Sequence, residues 1–77
     1  MTVQELNTLL GENIRRYRKM KKMRQKEFGA EIGVSKSNAC GYEKGKCMPH
    51  YKTLVLITYV LGVEVWQLFR KEEENGN

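Results

Sequence analysis

Leu6, Leu10, Ile14 and Tyr17 recur at intervals of four, four and three residues, with Leu9 beside them. That spacing makes one apolar stripe on an amphipathic helix running to about Lys21 or Lys22. Thr2 and Glu5 stand three apart at its start, the capping-box spacing in which each side chain satisfies the other's free amide. Gly11 lies inside the stripe and costs about 1 kcal/mol relative to Ala, so a kink or a restart is open there. A second short helix reads from Arg24 to Ile32, with Phe28 and Ile32 apolar and Gly33 suited to close it in the left-handed conformation. Ser35 is an N-cap for a third helix from Lys36 to about Lys44, which carries Ala39 and Tyr42 three apart. Gly45 stops it, and residues 46–49 form a loop. A fourth helix spans Tyr51 to Leu61 with Tyr51, Leu54, Ile57, Thr58 and Leu61 on one side; a fifth carries Val65, Leu68 and Phe69 and ends near Lys71. No stretch alternates as a strand does. The expected class is all-α.

Seventy-seven residues suffice for one domain, read here as residues 1–71, followed by an acidic tail over 72–77 that holds Glu72, Glu73 and Glu74. The longest apolar run, Leu54 to Ile57, has four residues, far short of the ~18 of a membrane span. Without a basic-then-apolar leader before Glu5, the chain reads as cytoplasmic. Fourteen Lys and Arg stand against nine Glu and no Asp, for a net charge of +5. Eight of the basic residues fall between Arg15 and Lys26. Such density suits a polyanion, because each phosphate neutralised releases condensed counterions, but a merely solvated helix face has the same charge. Cys40 and Cys47 are too few to staple a fold, and with His50 they lack a fourth zinc ligand, so no metal and no cofactor is expected. A single His, no Asp and no Gly-rich phosphate loop before a helix argue against an enzyme.

Residues 25–45 carry the most informative spacing. Gln25, Phe28, Gly29, Ile32, Gly33, Val34, Ala39 and Tyr42 put small or apolar residues where two helices joined by a tight turn must meet. This is the packing of a helix-turn-helix, whose second helix is presented to the DNA major groove. The stretch QKEFGAEIGVSKSNACGYEKGK, then Pro49 and TLVLITYVLGVEVWQLF, closely resembles the Cro and phage-repressor type of helix-turn-helix domain. The resemblance covers about residues 10 to 69 and extends to Arg18, the Tyr42-Glu43 pair, Gly45 and Leu61-Gly62-Val63. It implies a compact five-helix bundle of the lambda-repressor-like kind. Two positions depart from the family pattern. Arg24 replaces the usual Ser or Thr cap, and Ala39 replaces a larger Ile or Val.

The resemblance also implies roles. Lys36, Ser37 and Asn38 match the first turn of the recognition helix, which faces base edges, and Gly41 matches a further base-reading site one turn on. Gln25 matches a position whose amide and helix N-terminus hold a phosphate; Arg24, Lys44 and Lys46 flank the same face as further phosphate candidates. Arg18 and Glu43 match an ion pair that joins the first helix to the end of the recognition helix. In the C-terminal third, Leu56, Tyr59 and Val60 fall opposite the core side of the fourth helix, and Trp66 stands where the family has a small or acidic residue. A helix apolar on both sides in so small a chain suggests an interface. The expected function is a sequence-specific double-stranded DNA-binding regulator, a repressor that binds a palindromic operator as a homodimer. The alternative is an interaction module, such as an antitoxin or co-regulator, that binds a protein partner through the same C-terminal helices.

Overall fold

The capping box at the N-terminus forms in full. Thr2 Oγ1 accepts from the Glu5 N–H at 3.0 Å, and Glu5 accepts from the Thr2 N–H at 2.7 Å. These bonds hold the Glu5 carboxyl below its ordinary range, the Thr2 amide contributing most. They open helix α1, Val3–Met20, in a computed structural model that describes residues 1–71. Four helices follow: α2, Gln25–Ile32; α3, Lys36–Glu43; α4, Tyr51–Leu61; and α5, Val65–Leu68. No strand occurs among the described residues. The expected acidic tail lies outside them.

The helices pack because each contributes to one apolar cluster. Leu10 and Ile14 come from α1, Phe28 and Ile32 from α2, Ala39 from α3, Ile57 and Leu61 from α4, and Leu68 from α5. Burying side chains the size of Leu, Ile or Phe is worth roughly 1.5–3 kcal/mol each, which offsets the entropy of ordering short helices that would not persist alone. Three buried polar residues, Asn13, Arg18 and Glu43, complete the scaffold. Asn13 donates from Nδ2 to the carbonyls of Leu68 at 2.7 Å and Arg70 at 2.9 Å, and its Oδ1 accepts from Arg16 at 2.6 Å. It therefore fixes the end of α5 against the middle of α1. The Arg18–Glu43 pair does the same for the far end of α3.

Several boundaries and faces differ from the sequence expectation. Helix α1 continues through Gly11 without a break. The glycine is buried where α3 crosses, and a Cβ there would lie 2.6 Å from the Glu43 carbonyl oxygen and closer still to that of Tyr42. Its role is close approach rather than a kink. At the end of α1, Lys22 takes φ 58, a conformation usually left to glycine, while the Met23 N–H returns to the Arg18 carbonyl at 3.2 Å. Tyr51, placed on the core side of α4, is exposed, because it lies in the first turn beyond the core edge with its ring against His50. Helix α5 ends at Leu68 rather than near Lys71, its continuation being replaced by the carbonyl bonds to Asn13.

Candidate nucleic-acid interface

The angle between α2 and α3 is set by three residues. Gly33 ends α2 at φ 76, and the Val34 N–H then bonds back to the Gly29 carbonyl at 2.8 Å. A Cβ at Gly29 would lie 2.9 Å from the Val34 carbonyl oxygen, so the turn packs against bare backbone. Ser35 starts α3 with its Oγ accepting from the Asn38 N–H at 3.1 Å. At the start of α2 the Arg24 side chain makes no cap bond, but Glu27 accepts from the Arg24 N–H at 2.7 Å and supplies half of a capping box. Phe28, Ile32 and Ala39 are buried between the two helices, with Val34 and Tyr42 packed at the edge. That leaves the opposite side of α3 facing outward.

Ser37, Cys40, Gly41 and Lys44 recur at three, four and seven residues and form that outer face. With Lys36 they line an open groove, together with Gln25 at the start of α2 and Lys46 in the following loop. Of the base-reading candidates, Lys36, Ser37 and Gly41 line the groove, while Asn38 is exposed outside the lining. Of the phosphate candidates, Gln25, Lys44 and Lys46 line it, while Arg24 is exposed at the N-cap and off it. Cys40 was not among the expected residues. Its spacing from Ser37 and Gly41 on a helix was the signal that could have placed it. A Cβ at Gly41 would meet the Cys47 Sγ at 3.3 Å. Both thiols are free.

Behind the groove lies a network of charge. Arg18 donates from Nε to Glu43 Oε2 at 2.6 Å and from Nη2 to Oε1 at 3.1 Å, and its Nη1 reaches the Met23 carbonyl at 2.7 Å. Gln25 Nε2 donates to Glu43 Oε1 at 3.0 Å. The Gln25 amide is thus held by the carboxylate at the end of α3, with its side-chain oxygen left to accept. Because Arg18 and Glu43 are both buried and bidentately paired, Glu43 puts little negative charge into the groove, and Lys36, Lys44 and Lys46 set its sign. Partial burial, and next the nearby Cys47, raises the Tyr42 hydroxyl above its ordinary range. It stays neutral near pH 7. Among the described residues no three of His, Cys, Asp and Glu gather as metal ligands.

The second expected surface lies on α4 and α5. Tyr59 is 85% exposed, Trp66 60% and Leu56 45%. Val60 is a correction: it is half-buried and packs on the core cluster, being one position from Leu61 and three from Ile57. Val55 and Val65, which were not expected, are exposed instead. Val55 and Tyr59 line a shallow groove against Val63 and Glu64 at the entry to α5. Arg70 sits over the Trp66 ring at 6.0 Å.

Residues 15–57, more than half of the chain and the whole of the α2–turn–α3 unit, match the family described as the RsaL-like HTH domain. The chain belongs to this helix-turn-helix family. It is 33% identical over 64 residues to the HTH-type transcriptional regulator YqaE of Bacillus subtilis, a match covering 83% of the chain and 55% of YqaE. The chain thus spans about half the length of that relative. Solved structures share the fold. The restriction-modification controller protein C.AhdI from Aeromonas hydrophila superposes with a TM-score of 0.81 at 20% identity, over 90% of this chain and 100% of its own. The clp gene regulator ClgR from Corynebacterium glutamicum gives 0.78 at 24%, over 82% and 67%. A hypothetical transcription factor, NHTF, from Neisseria gives 0.82 at 23%, over 97% and 86%. The five-helix expectation agrees with these neighbours. Among the described residues no helix is long and apolar enough to cross a membrane.

Proposed function

We propose that this RsaL-like domain is a sequence-specific double-stranded DNA-binding regulator that represses transcription from the cytoplasm by occupying a palindromic operator as a homodimer. The observation that supports the reading is the outward face of α3, a groove lined by Lys36, Lys44 and Lys46 together with Ser37, Cys40 and Gly41. An α-helix fits the major groove, where Lys36 donates to guanine O6 or N7 and Ser37 both donates and accepts. Asn38 reaches a base or sugar edge from the side. The first amides of α2 face a phosphate at Gln25, favoured by the helix dipole, and Arg24, Lys44 and Lys46 hold neighbouring phosphates. These contacts fix register; the α3 side chains supply sequence. A two-fold dimer then sets two copies of α3 one helical turn apart, about 34 Å, and blocks the promoter beneath.

Selection of bound duplexes from a random library at near-physiological salt tests this directly. An inverted repeat is expected. Lys36→Ala should then change the preferred base at one position of each half-site by about 1–3 kcal/mol, whereas Lys46→Ala should weaken every duplex alike. A library that stays flat overturns the proposal. It would favour the second reading, a module that binds a protein partner through exposed Tyr59 and Trp66.

A further inference from the structure

The basic residues between Arg15 and Lys26 are not absorbed by the groove on α3, whose cations come from α3 and the loop after it. A second concavity accounts for part of them. Arg15, Arg16 and Lys19 on the outer side of α1 line it together with Lys44 at the end of α3, over Glu12, Met20 and Glu43. Lys44 also lines the groove on α3. Through Lys44 the two concavities adjoin, one lined also by Lys36 and Lys46 and the other by Arg15 and Lys19. We infer that this outer face of α1 is a second nucleic-acid-contacting surface, which holds the phosphate backbone of the duplex beyond the bases read by α3. The inference rests on the DNA-binding reading above and extends the part of the molecule that touches the duplex.

The charges support it. Glu43 is neutralised by its bonds to Arg18 and Gln25, which leaves Glu12 as the other carboxylate of the lining. Arg15 and Lys19 stand four apart, on one side of α1, and both are exposed. Arg16 is held differently, donating to Asn13 and lying over the Tyr17 ring at 4.7 Å, so it serves the scaffold. A row of separate cations fits a polymer of regularly spaced anions better than one small anion, and duplex DNA offers a charge about every 1.7 Å of its axis. Continuity through Lys44 favours a duplex already seated on α3 over an acidic protein bound elsewhere. Contacts of this kind carry no base information. They raise affinity for every sequence and only when the duplex is long enough to reach α1.

The test compares the parent with an Arg15→Gln/Lys19→Gln variant on the selected duplex, once trimmed to its half-sites and once carrying about ten further base pairs, one helical turn, on each side. Both exposed side chains leave the core untouched, so an unchanged melting temperature serves as the folding control. On the long duplex the slope of log K against log salt should become shallower by roughly 1–2 units per protomer bound. On the trimmed duplex the two proteins should converge, and the selected consensus should be the same for both. Glu12→Gln should tighten binding to the long duplex alone. Equal slopes on the long duplex overturn the inference, as does a loss that depends on base sequence. Lys36→Ala separates the two claims. If it alters base preference while the α1 variant changes nothing, the α3 reading stands and the α1 surface falls. If the parent binds no duplex, both fall.

Discussion

Arg18 and Glu43 stand 25 residues apart in the chain and meet inside it, with side chains 10% and 2% exposed. Charges so placed are stable only as a pair, because each has lost most of its hydration. Arg18→Ala leaves the Glu43 carboxylate buried with Gln25 as its remaining side-chain partner, and also strips the Met23 carbonyl of its Nη1 donor. The expected loss is about 3–5 kcal/mol in urea unfolding, whereas a joint Arg18→Met/Glu43→Leu replacement should be much milder. A single-variant loss below about 1 kcal/mol, the value of an exposed pair, would show that the pair does not hold α1 to α3. No local pattern announces such a contact. It was legible only through the family resemblance. Asn13 was not legible at all, since a polar residue beside an apolar stripe looks like any solvated position until the end of α5 arrives against it.

At the scale of helices, the reading of periodicity and caps located all five elements to within a few residues. Thr2, Ser35, Gly33 and Gly62, which ends α4 at φ 69, act through their own backbone or their nearest neighbours, and that local chemistry is visible in sequence. What propensity alone misjudged was Gly11. Helix propensity favours Gly11→Ala by about 1 kcal/mol. The crossing with α3 opposes it, because the added carbon would meet the Glu43 carbonyl at 2.6 Å and backbone atoms have nowhere to retreat. We expect the crossing to win, with a net destabilisation of about 1–3 kcal/mol in a thermal or urea melt, the range for overpacking a core. A stabilised Gly11→Ala protein would mean that α1 and α3 slide apart at little cost. The side of Val60 was misjudged within α4 itself: three residues from Ile57 and one from Leu61, it lies near enough to the buried stripe to pack on the core.

For the molecule as a whole, the two ends make different demands. The α3 end is cationic and open, and nothing within the protomer needs to cover it. The α4–α5 end exposes Val55, Leu56, Tyr59, Val65 and Trp66, a concentration of large apolar side chains that a small chain exposes mainly at interfaces. A two-fold contact there would cover them. A stable interface takes about 800 Å² from each partner, so a few aromatic anchors must supply much of its strength. Trp66→Ala and Tyr59→Ala should each shift sedimentation from dimer toward monomer while leaving the melting of the protomer core near the parent's. The monomers should still prefer the same half-site, and should lose the advantage that two linked half-sites give over one. A dimer unaffected by both substitutions would move the interface away from α4 and α5. A parent that sediments as a monomer at micromolar concentration would leave the apolar end free for a different protein.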